Sequence, residues 1–161
     1  MPKVIIRFSS TYGPISHAIN FFTDSEWSHV DIGTDKGTWI GAHAGSGVQE
    51  RPTDYCTPTR SHTYELDYPQ PTYDLIMGHA EKSIGTPYNY VDILGLFIHD
   101  RDMTSKGRVE CAMFVFDCFA AGGVRLLNVQ PEWSYKVIPE TLHLSSKLIG
   151  KLVDIFPREA K

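Results

Sequence analysis

Apolar and polar positions alternate with a strand-like period through the early part of the chain. Lys3 to Ser9 (KVIIRFS) is a short apolar run rich in β-branched residues and predicts a strand. Ile15, Ala18, Ile19 and Phe22 then share a helical face, with Pro14 suited to the first turn. Ser28 to Gly33 (SHVDIG) returns to alternation, placing Val30 and Ile32 on one side and His29 and Asp31 on the other. Asp35-Lys36-Gly37 reads as a turn, so Thr38 to Ala44 is the returning strand of a hairpin. Gly45-Ser46-Gly47 breaks it, and Val48 to Arg51 and His62 to Leu66 follow as further strand candidates.

Beyond Tyr68 to Tyr73, which reads as a stiff connector with two prolines, the pattern turns helical. Asp74 to Ile84 and Tyr90 to Ile98 are helix-like, and His99 to Arg108 is a polar loop. Val109 onward (VECAMFVFDCFAAGGVRLL) is a buried-looking helix stopped by Gly122-Gly123. Leu148 to Phe156 closes the chain as a strand. Strands first and helices second predict an α+β fold, with an antiparallel sheet or small barrel against a helical half.

The length of 161 residues suits one domain with a core of its own. A strand and hairpin half covers about 1–68, a helical half about 73–145 and a closing strand about 148–156. The net charge of −4 and the lack of a Lys/Arg cluster argue against nucleic acid as a partner. No signal-peptide core and no membrane span are apparent. Three cysteines without paired CxxC spacing argue against a disulfide framework or a zinc knuckle. A reducing, cytoplasmic location is expected, while signal-independent export and a viral origin stay open, as does the oligomeric state.

Three groups of residues bear on chemistry. Cys111 should sit in the first turn of its helix, where unpaired N–H groups and the helix dipole favour a thiolate. The opposing reading, an inert buried cysteine, has about equal weight from local physics. Cys118 is two turns deeper between Phe116 and Phe119 and reads as packing, and Cys56 in TDYCTPT as a bystander. His29 and His43 can meet across the hairpin as a base and its orienting group. With Asp31 the same residues could instead ligate a metal, although no HExxH spacing is present. His17, His62, His79, His99 and His143 lack such an arrangement. Ala44-Gly45-Ser46-Gly47 lacks the first glycine of a serine-nucleophile elbow, and no phosphate-binding loop occurs.

Five segments in order resemble one family: WSHVDIG, WIGAHAGSGVQERP, IGTPYNY, VECAMFVFDCFAAGGVRL and VIPETL, preceded by FSSTYGPISHAINFF. They are similar to circularly permuted NlpC-like cysteine peptidases, the YiiX/YebB-like branch of the papain-like fold. The resemblance spans most of residues 3 to 145. It implies Cys111 as nucleophile, His29 as general base, Tyr88 beside the substrate cleft, and the Cys111 backbone N–H in an oxyanion hole. It implies no cofactor. Where the branch often has Glu-Ala this chain has Gly41-Ala42, and Gly41 cannot orient an imidazole. His43, two residues on and on the same face, is the expected replacement. The implied activity is thiol hydrolysis of an amide, a peptide or cell-wall peptide, through an acyl-enzyme. The alternatives are a lipid acyl hydrolase or acyltransferase on the same site, a metal-dependent hydrolase, and a non-catalytic binding or assembly protein that has kept the fold.

Overall fold

The computed structural model describes residues 1–88, 110–129, 137–145, 148 and 152–156. Its strands are β1 (Lys3–Ser10), β2 (His29–Gly33), β3 (Trp39–His43), β4 (Gly47–Arg51), β5 (Arg60–Asp67) and β6 (Leu152–Phe156). They form one open six-stranded sheet in the order β4-β3-β2-β1-β5-β6, every pairing antiparallel. Among the described residues the sheet does not close into a barrel. The closing strand is described over Leu152–Phe156 and adds to β5 at an edge, with an irregular register at Thr63/Tyr64.

Register divides the sheet chemically. Phe8 stands level with Val30 and His62, and Ile6 with Ile32 and Tyr64. With Val4 and Leu66 all of these but the half-buried His62 belong to the buried core. The intervening positions carry the polar set, with Arg7 opposite Asp31 and Ser9 opposite His29. A single strand thus supplies core on one face and an ionic network on the other.

The helices are α1 (Pro14–Thr23), α2 (Gln70–Lys82), α3 (Cys111–Ala121) and α4 (Pro139–His143). The expected connector at Tyr68–Tyr73 is mostly helix, because α2 begins at Gln70 with Pro71 in its first turn. Proline costs a helix nothing there, since the first N–H groups have no partner within the helix. Helix α3 buries Cys111, Ala112, Phe114, Val115, Phe116, Cys118 and Phe119 and packs on α2, β2 and β3. It ends where predicted: a Cβ on Gly122 would strike the side chain of Ile76, and Gly123 adopts φ 75. The expected helix Tyr90–Ile98 and loop His99–Arg108 lie outside the described residues. Among the described residues no helix is long and apolar enough to cross a membrane.

Candidate functional site

Strand β2 opens with His29 and places Asp31 two residues on, facing the same way. The His29 Nε2 lies 2.7 Å from Asp31 Oδ1. Asp31 is fully buried, and its second oxygen is held as firmly. Arg7 Nη2 reaches Oδ2 at 3.1 Å, and the Tyr55 hydroxyl donates to Oδ2 at 2.7 Å. The Arg7 guanidinium in turn lies over the Trp39 ring, 4.2 Å from its centroid. An interior carboxylate survives only with such partners.

The hydrogen bond to His29 expected of His43 is made by Asp31. His43 Nε2 is 3.7 Å from Asp31 Oδ1, too far for a hydrogen bond, and has no hydrogen-bond partner among the described residues. Its ring lies beside His29 at 4.6 Å between centroids, and against Tyr55 at 5.2 Å. The reason lies at Gly41. A Cβ at this position would run into Asp31 Oδ1, with His29 Nε2 also within 3.4 Å. The space that a side chain on β3 would occupy is filled by the carboxylate of β2. The carboxylate beside His29 therefore comes from β2 and not from β3.

Charge follows geometry. Burial opposes a charged His29, but the Asp31 charge and hydrogen bond, together with Cys111, outweigh it and push the ring up to about 10. Burial works against Asp31 too, yet the His29 charge and hydrogen bond, then Arg7 and His43, hold it well below the usual carboxylate range. His43 goes the other way. Burial and the His29 charge push it down to about 3 despite the pull of Asp31. Near neutral pH one histidine is cationic and its neighbour neutral.

Cys111 is the first residue of α3, with Glu110 in extended conformation before it. The cysteine is among the groups that raise His29, after Asp31. His29 and His43 thus lie side by side, and Cys111 is near enough to His29 to bear on its charge. Cys118 is fully buried and its thiol is raised, first by burial and then by Asp117. That agrees with a packing role.

A cleft of about 220 Å³ opens beside the site, with His29, His43, Tyr55, Cys56 and Tyr88 in its wall. Tyr88 is carried there by a segment that hydrogen-bonds β4, through Val48 N–H to the Thr86 carbonyl at 2.9 Å. The approach is so close that a Cβ on Gly47 would collide with that carbonyl. Cys56, expected to be a bystander, also faces the cleft. Cys111 is 3% exposed and is not part of the wall.

Arg7, Asp31 and Tyr55 as a network are what sequence reasoning missed. The available signal was parity: Arg7 interrupts an apolar strand at the same phase as Ser9, and Asp31 shares the phase of His29.

No protein-family model matches the chain, and no curated protein matches it. Among solved structures it is similar to the metalloprotein YiiX (DUF1105) from Escherichia coli O157:H7. The TM-score is 0.69 at 16% sequence identity, covering 94% of this chain and 96% of that one. The fold is therefore YiiX-like, an α+β arrangement shared over nearly the whole of both chains.

Proposed function

We propose that this chain is a thiol hydrolase on a permuted papain-like version of that fold, with Cys111 as nucleophile, His29 as base and Asp31 as the orienting acid. The observation that carries the reading is the His29–Asp31 pair, buried, charged and set against the first residue of α3. With Nε2 engaged by Asp31, Nδ1 is the ring nitrogen left to exchange protons with the thiol. A cation at a cysteine sulfur favours the thiolate.

The steps follow from these positions. His29 holds the proton from Cys111, and the thiolate attacks the carbonyl carbon of an amide or ester. The Cys111 backbone N–H, at the start of α3, donates to the developing oxyanion. Collapse expels the amine or alcohol, which takes the proton from His29 and leaves a thioester. Water gives a proton to His29, attacks the thioester and releases the acid, and Cys111 regains its starting state. Transfer to another nucleophile in place of water would make the same site an acyltransferase. Neutral His43 packs beside the imidazolium and shields it, and Tyr88 borders the acyl group. The favoured substrate is an amide, a peptide or cell-wall peptide, with an acyl lipid as the other option.

A metal ion on His29, Asp31 and His43 is the second reading. It is favoured because these residues offer ligand atoms within 4.8 Å of one another, and because the neighbouring YiiX is described as a metalloprotein. The donor set suits zinc or a similar ion. Against it stands Arg7, a fixed cation 3.1 Å from the same carboxylate.

Alkylation separates the two. After exhaustive chelation, iodoacetamide near neutral pH labels Cys111 faster than Cys56 and leaves Cys118 untouched, as read by peptide mass spectrometry. Equal rates at Cys111 and Cys118, or protection of Cys111 that depends on added zinc, would count against the thiol reading.

A further inference from the structure

A second histidine pair lies outside this site. His143, the last residue of α4, has its Nε2 3.0 Å from His62 Nδ1 and 2.8 Å from the Tyr64 hydroxyl. Its ring sits among Phe8, Trp27, His62 and Tyr64, with centroids 4.9 to 5.7 Å away. Trp27 also lies on His62 at 4.5 Å. The same helix holds the chain ahead of His29. Glu140 Oε2 accepts from Ser25 Oγ at 3.0 Å and from the Glu26 N–H at 3.2 Å.

A hydrogen bond between two imidazoles needs one N–H and one lone pair. When both rings are protonated, two N–H groups and two positive charges meet at 3.0 Å, and the contact cannot persist. We propose that His62 and His143 form an acid-sensitive latch. It docks α4, and through Glu140 and Trp27 the segment entering His29, near neutral pH and releases them in mild acid.

The surrounding charges set its direction. Burial and the His62 charge lower His143, while Glu140 on its own helix and Glu26 on the 24–28 segment pull the other way. Glu26 is itself engaged by Arg60 at 2.6 Å. Tyr64 on β5 contributes a neutral hydroxyl, and Phe8 and Trp27 contribute only apolar surface. A histidine lowered in the folded state stabilises the fold fully above its unfolded value of about 6.5, and that stability is lost as pH falls below it.

Amide hydrogen exchange on the full chain tests the latch, at about pH 7.5 and about pH 5.5, on either side of the ordinary histidine value. After correction for intrinsic rates, protection of 137–145 should fall about 10-fold or more in the wild type, while β1 and β2 keep theirs. In His62→Gln the neighbour of His143 keeps a hydrogen-bonding amide but takes no proton, so the fall should shrink to what the burial of His143 alone gives. His143→Gln should behave alike, and either variant decides if the other fails to fold. Equal wild-type protection at both pH values overturns the proposal, as does an undiminished fall in the Gln variants.

Discussion

Asp31→Asn should lower the rate at which Cys111 is acylated by an activated ester about 10³- to 10⁴-fold, the usual cost of removing an orienting acid. Two effects combine. An amide cannot hold His29 as a cation, and its N–H₂ presents a donor where Nε2–H also donates. The ring, pushed up to about 10 beside Asp31, should titrate far lower once Cys111 is the one of its raising groups that still opposes burial. Histidine NMR reads this directly: the wild-type ring stays protonated at neutral pH, and the variant ring is neutral there. A merely structural role for Asp31 would not move that signal. The variant should also lose about 3–5 kcal/mol of stability, because buried Arg7 keeps its charge and loses its partner.

The same pair shapes the pH dependence of stability. His29 is raised in the fold, so its contribution is complete below about 6.5 and declines as pH rises toward about 10. Asp31 is lowered, so its contribution is complete above about 3.9 and is lost in stronger acid.

Gly41→Glu, which restores the residue the resemblance calls for, should be harmful. Its Cβ enters the space of Asp31 Oδ1, and such overpacking costs about 1–3 kcal/mol before the second carboxylate is counted. Two acids would then compete for one imidazole, and the acylation rate should fall at least about 10-fold through displacement of His29. Combining Gly41→Glu with Asp31→Ala removes the collision and returns an acid to His29 from β3. The double variant should exceed Asp31→Ala alone by about 10-fold or more, a coupling expected of residues in contact. Purely additive losses would show that the two positions do not share one role.

How much of this the sequence discloses depends on range. Strands β1 to β5 and helix α3 follow from local periodicity, and the first-turn position of Cys111 follows from the Gly122-Gly123 stop and the polar stretch before it. Alternation also put His29, Asp31 and His43 on one side of the hairpin. It could not say which of Asp31 and His43 bonds His29, because parity fixes a face and not a distance. The start of α2 was obscured by Pro69 and Pro71, which look like a linker until one is seen in a helical first turn. His62 and His143 are 81 positions apart and meet only through the docking of α4 on β5. No local pattern announces such a pair.

The central claim is that Cys111 carries the acyl group. Rapid-quench mass spectrometry with p-nitrophenyl acetate tests it most directly. The account predicts one acetyl group per chain in the burst phase, mapped to Cys111 and absent from Cys111→Ala. An acetyl group on Cys56 instead, or a burst that survives Cys111→Ala, would contradict it.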